Sequence, residues 1–187
     1  MKILDNGIWD DEKPDDHFFD EKLSKSILSF LKSEDTKTLV DLGCGDGKYT
    51  KFFIENGIKT QGYDGNPYTP LITEGLCKVL DLSEPHMFNP RYDWVLSLEV
   101  GEHIPKKFES IYIDNLVNNC EFGLILSWAV VGQAGTGHVN CQNNDYVVER
   151  FRERGLKHVK GLGAQFRADA QISWFKNTIM VFRKTDI

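Results

Sequence analysis

The residues able to do chemistry gather in a few short stretches. Thr38–Gly47 reads TLVDLGCGDG and holds Asp41, Gly43, Gly45, Asp46 and Gly47. Glycines this dense permit sharp backbone angles and let a ligand approach the main chain. The acids decide which ligand. Carboxylates around a diphosphate would repel it, whereas an ammonium or a sulfonium would be attracted. Asp64-Gly65 follows about 20 residues after the first glycine, the interval at which nucleotide folds place an acid on ribose hydroxyls. Ser97–Pro105, SLEVGEHIP, brings Glu99, Glu102 and His103 together. Such a group could take a proton from a hydroxyl. It could equally hold its own turn and cap a helix starting at Pro105, which is the reading favoured for Glu102 and His103. Trp128–Asn144, WAVVGQAGTGHVNCQNN, is uncharged, rich in glycine and amides, and carries His138. A histidine titrates near neutrality, so His138 is the first candidate for a general base. Glu99 and His103 are the others.

These groups need elements to position them. Leu39, Val40 and Leu42 suit a strand buried on both faces. Lys48–Asn56 suits a helix stopped by Gly57. The glycines therefore occupy a strand-to-helix turn. A dinucleotide fingerprint Gly-x-Gly-x-x-Gly would need glycine where Lys48 stands, so a nicotinamide cofactor is not expected. His17–Lys32, with Phe19, Leu23, Ile27, Phe30 and Leu31, predicts an amphipathic helix capped by Asp15 or Asp16. His17 reads as a surface residue. Lys59–Tyr63 predicts a second strand. Asn66 and Pro67 then open a short helix ending near Gly75. Further strands are expected at Leu76–Leu80, Tyr92–Leu98, Gly123–Trp128, Leu156–Lys160 and Asn177–Arg183, and helices at Lys106–Asn119 and Asp145–Arg154. Gln165–Phe175, with Arg167 and Trp174, reads as a short helix or a second loop over the site.

The alternation of helix and strand argues for an α/β domain with a mainly parallel sheet. With 187 residues, the chain suits one domain over 17–187. Residues 1–16 form an acidic arm, either a frayed terminus or a lid, with Ile8 and Trp9 as its anchors. There are 28 acids against 22 bases, a net charge of −6, which gives no general attraction to nucleic acid. Cys44, Cys77, Cys120 and Cys141 are widely spaced. That suits reduced thiols in a cytoplasmic protein, and no metal site is expected. Neither a signal peptide nor a membrane-spanning run is read from the sequence.

VDLGCGDG, at Val40–Gly47, resembles the glycine-rich motif of class I S-adenosylmethionine-dependent methyltransferases, and the likeness extends over nearly the whole chain. It implies a Rossmann-like seven-stranded mixed sheet of order 3-2-1-4-5-7-6 with the last strand antiparallel and helices on both faces. It also implies S-adenosyl-L-methionine as cofactor, and methyl transfer as the activity. Asp41, Gly43, Gly45, Asp46, Asp64, Gly65 and Glu99 would then bind the cofactor. Asp81 would receive the adenine amine, with the main chain of Leu82 against the ring. The Asn/Asp-Pro-Pro-Tyr/Phe turn of amino-methylating DNA enzymes and the Pro-Cys of cytosine-C5 enzymes are both absent. Trp128, Gln133, Asn140, Arg167 and Trp174 are the substrate-binding candidates. Neutral amides beside aromatic faces suit a glycan or a small polyhydroxylated metabolite, whereas a phosphate backbone would need Lys and Arg. O-methylation of such an acceptor is therefore expected. The competing readings are methylation of a protein side chain, or a catalytically silent, cofactor-binding partner subunit.

Overall fold

The computed structural model describes residues 2–14 and 17–185. The expected cap residues Asp15 and Asp16 lie outside the described residues. A small hairpin comes first, β1 (Lys2–Ile3) paired antiparallel with β2 (Trp9–Asp10). Then come α1 (Glu21–Ser33), β3 (Thr38–Leu42), α2 (Lys48–Glu55), β4 (Lys59–Asp64), α3 (Thr69–Ile72), β5 (Lys78–Val79) and β6 (Tyr92–Ser97). A 3-10 turn, Lys106–Phe108, leads into α4 (Glu109–Asn119) and β7 (Cys120–Leu126). The chain ends with α5 (Asn144–Arg152), β8 (Leu156–His158), α6 (Lys160–Asp169), α7 (Phe175–Thr178) and β9 (Met180–Lys184).

The main sheet has seven strands in the order β5-β4-β3-β6-β7-β9-β8. Counted from β3, which carries the glycine turn, this is the expected 3-2-1-4-5-7-6. β3 pairs in parallel with β4 and β6, so Val40 lies between Gln61 and Val95. β9 runs antiparallel to both β7 and β8. Alternate residues of the central strands feed two cores. Val40, Val95 and Leu124 pack on one face with Tyr112, Leu116 and Phe151. Leu39, Trp94 and Ile125 pack on the other with Leu23, Ile27 and Phe166. Two-sided burial explains why these strands read as continuous apolar runs.

Several boundaries move from the sequence reading, each for a local reason. α1 starts at Glu21 because Asp20 caps it: its Oδ1 accepts from Leu23 N at 2.9 Å. Its Oδ2 accepts from Gln171 N and Ile172 N at 2.7 and 2.8 Å. One carboxylate thus caps a helix and pins the segment after α6. Instead of one short helix over Gln165–Phe175, α6 begins earlier and closes at Asp169, and α7 follows separately. α3 is only a single turn. Asn66 does not open it, since its Oδ1 accepts from Tyr68 N and its amide reaches back to Asp11 O at 2.8 Å. All four cysteines are free.

Candidate active site

The site is built on the carboxyl ends of β3, β4 and β6, where an open parallel sheet receives ligands. Here a cavity of about 370 Å³ opens, within the ~300–1,000 Å³ span of small-molecule sites. The glycine turn forms its floor. Gly43 has φ of +86°, and a Cβ built there would lie 2.2 Å from Val100 Cγ2. A Cβ on Gly45 would lie 2.7 Å from the His17 ring. Any larger residue would fill the cradle, so these two glycines are required by space as well as by backbone angle.

Carboxylates organise the rest. Asp64 Oδ2 accepts from Gly45 N and its Oδ1 from Asn66 N, each at 2.9 Å. Each oxygen keeps a further lone pair for a hydroxyl donor. Asp41 is buried at the end of β3 and accepts from Thr50 Oγ1 at 2.7 Å. Burial, with the charges of Asp64 and Asp46 adding to it, pushes its carboxyl up to about 7. Asp46 forms an ion pair with Lys48 at 2.7 Å. Asp81 accepts from Ser83 N and Oγ through Oδ1, and from Asn6 Nδ2 at 2.8 Å through Oδ2. Asp41, Asp46, Asp64, Asp81 and Glu99 all line the cavity, and among the described residues no lysine or arginine does. Gly65 and Leu82 line it as well. A site so acidic cannot hold a diphosphate, and it suits a ligand cationic at sulfur and at nitrogen. The residues present therefore fit S-adenosylmethionine.

The second half of the site comes from two loops fastened together. Glu99, just past β6, has φ of +53°, a strained angle for a non-glycine residue. Its backbone is held by Ser127 Oγ, which accepts from Glu99 N at 2.7 Å. Its carboxylate accepts from Gln133 Nε2 at 2.9 Å and Thr178 Oγ1 at 3.3 Å. The Glu102 carbonyl accepts from both Val139 N and Asn140 N at 2.9 Å. This docks the 128–144 loop on the turn after β6 and brings His138 to His103, ring centres 5.0 Å apart. Burial raises the carboxyl of Glu99, and burial with Glu99 beside it raises that of Glu102 well above the usual range. Burial, then the neighbouring His138, lowers His103 to about 4. A ring so weakly basic is a poor proton acceptor, so His103 falls behind His138 as a base.

Three of the five substrate-binding candidates are corrected. Trp128 is 1 % exposed, lies off the cavity, and donates from Nε1 to Asn140 O at 2.7 Å. Asn140 is buried and donates to Glu109 Oε2 at 2.8 Å. Both shape the loop that carries His138. Arg167 donates to Ile179 O at 2.8 Å from α6, outside the cavity. Gln133 and Trp174 do line the cavity, and Trp174 meets Phe18 edge to face with ring centres 5.3 Å apart. His17, read as a surface residue, lines the cavity and stacks on Trp9 at 5.7 Å. Nothing in the sequence marked His17. Ile8 and Trp9 of the arm also line the cavity, so the anchors expected there sit on the site itself.

Comparison with known proteins agrees with this architecture. Residues 16–120, more than half of the chain, match a family model described as a methyltransferase domain. No curated protein sequence matches. Similar solved structures include magnesium protoporphyrin IX methyltransferase from Synechocystis with bound S-adenosylhomocysteine. It is 17 % identical with a TM-score of 0.65, covering 87 % of this chain and 82 % of that one. The 1,6-didemethyltoxoflavin-N1-methyltransferase of Burkholderia thailandensis, with its substrate and S-adenosylhomocysteine, is 16 % identical with a TM-score of 0.62. It covers 89 % of this chain and 79 % of that one. An S-adenosylmethionine-bound amino pentose methyltransferase from Micromonospora echinaspora, involved in calicheamicin biosynthesis, is 12 % identical with a TM-score of 0.64, covering 87 % and 90 %. Their acceptors differ while their fold is shared, so the fold does not choose the acceptor. The strand order, the acid-lined glycine cradle and the family match meet in one conclusion: the chain belongs to the methyltransferase-domain family, as a small class I S-adenosylmethionine-dependent methyltransferase.

Proposed function

We propose that the protein methylates a hydroxyl of a sugar or another small polyhydroxylated molecule. The observation that carries this reading is the lining of the cavity: four aspartates around the glycine turn and neighbouring strand ends, then, beside Glu99, uncharged polar and aromatic groups from the loops, with no lysine or arginine among the described lining residues. S-adenosylmethionine supplies a methyl group made electrophilic by the positive sulfur. In this reading Asp64, with a further lone pair on each oxygen, accepts from ribose hydroxyls, and the main chain at Gly43 and Gly45 gives the adenosyl part close approach. The acids at the cofactor end favour the cationic donor, while Leu98, Val100 and Ile104 help keep water from the reacting groups. Gln133 and Thr136 offer hydrogen bonds to acceptor hydroxyls, and Phe18 and Trp174 offer flat apolar faces to a sugar ring.

The proton of the acceptor hydroxyl goes to His138. Its Nδ1 lies 3.1 Å from the Gln133 carbonyl, which can only accept. The hydrogen therefore sits on Nδ1, and the lone pair is on Nε2. Transfer of a labelled methyl group to a sugar panel and to a peptide panel tests the acceptor. Label on sugars and none on peptides is expected, and the reverse would overturn the proposal. His138→Ala should lower turnover by roughly 10²-fold with cofactor affinity within about twofold by calorimetry. Unchanged turnover would remove His138 as the base.

A further inference from the structure

Glu102, His103 and His138 converge where the turn after β6 meets the loop after β7. One ligand atom from each lies within 4.8 Å of the others. Glu102 is 0 % exposed. No described residue completes a well-formed hydrogen bond to either carboxylate oxygen or to the buried Nδ1 of His103, although the Ala129 and Gly137 backbones and the Glu99 carboxyl lie close by. A carboxyl group buried without well-formed hydrogen bonds is costly. A cation at this point answers all three orphaned atoms together. His138 carries the matching outer contact. A ligating imidazole typically donates its other N–H to a carbonyl or carboxylate, and His138 Nδ1 donates to Gln133 O.

We propose that Glu102, His103 and His138 bind one divalent cation. Two imidazoles and a carboxylate select Mn²⁺, Fe²⁺, Co²⁺ or Zn²⁺ over Mg²⁺ and Ca²⁺, which prefer all-oxygen sites. Glu99, His103 and His138 line the cavity, so the remaining coordination positions face the acceptor end, where hydroxyl oxygens would be taken. The cation also joins two segments held otherwise by the Glu102 carbonyl and a few side-chain contacts. The inference rests on the acceptor reading above and limits the role of His138 in it. In the cation-loaded protein His138 gives its Nε2 lone pair to the cation, and it is free to act as a base only in the cation-free protein.

Chelator-stripped full-length protein is titrated with CoCl₂, MnCl₂, ZnCl₂, MgCl₂ and CaCl₂, read by visible absorption for cobalt and by thermal melting for all. A ligand-field band that saturates with cobalt, and a rise in Tm with the first-row ions only, are expected. Glu102→Gln should weaken cobalt binding by at least about tenfold, as ligand-sphere losses in metal sites do. His138→Gln, in a surface loop, supplies the same readout if the buried substitution fails to fold. Absence of the band and of any Tm rise in the wild-type protein overturns the proposal, and so does equal cobalt affinity in a folded variant. Calorimetry with S-adenosylmethionine on the same stripped samples separates the two readings. Cofactor binding without cation uptake removes only the cation, while cation uptake without cofactor binding removes the methyltransferase reading.

Discussion

Asp64 and Asp41 are both aspartates at strand ends beside the same glycine turn, yet their surroundings divide their work. Asp64 is held open by two backbone donors. Asp64→Ala should weaken S-adenosylmethionine binding at least about tenfold by calorimetry, since charge-assisted hydrogen bonds are each worth roughly 1.5–3 kcal/mol; unchanged affinity would refute its role. Asp41 is closed in, with its carboxyl raised from an ordinary 3.8 to about 7. Between those values the folded protein holds a proton that the unfolded chain has released. The contribution of Asp41 to stability is therefore greatest at low pH and declines as pH rises through this window. Asp41→Asn removes the titration. Its Tm relative to wild type, measured without cofactor, should be higher near pH 8 than near pH 5, and an equal difference at both would contradict the shift. Asp41, Asp64 and the glycines were legible in the sequence because their chemistry depends on spacing along one strand and turn. The place of His17 and the burial of Glu102 were not. His17 packs against the Gly45 turn as well as on Trp9, and Glu102 is fully buried, properties set by packing and not by local sequence.

The 128–144 loop shows how a stretch without regular structure is positioned. The Glu102 carbonyl, the Trp128 indole and the Asn140 amide each fix one point of it. Trp128→Phe deletes one of these bonds, a change worth about 1 kcal/mol. Turnover should fall while cofactor affinity stays; a fall in both would place Trp128 nearer the cofactor than the structure does. From sequence, Trp128 and Asn140 looked like acceptor contacts because loop aromatics and amides commonly are. Their inward orientation is a tertiary fact with no local signal. Asp20 is a second fastening, capping α1 and holding Gln171 and Ile172. Asp20→Ala should cost roughly 2 kcal/mol or more, from a lost cap and two unpaired N–H groups, read by denaturant unfolding. A loss near zero would mean that water replaces all three bonds. Apolar runs had located the strands to within a few residues, and the family resemblance had implied their order. The cap had been sought nearer the expected helix start, because Asp20 looked like one more polar residue inside the pattern.

At the scale of the whole molecule, the cofactor half and the acceptor half of the cavity rest on different ends of the chain. The first half belongs to β3, β4 and the turns that follow them. The second is assembled from the turn after β6, the loop after β7 and the aromatics around α7. Over both lies the amino-terminal hairpin, with Trp9 between His17 and His103. Asn6 is bonded to Asp81, and the Asp11 carbonyl accepts from Asn66. Those tethers reach a carboxylate and a strand end that line the same cavity. A spent cofactor leaving by this side would have to break them, so departure of the used donor, and not the bond-making event, would set the pace of each cycle. Rapid mixing would then show a fast first round of product followed by a slower steady phase, and Trp9→Ala would erase the difference between the two.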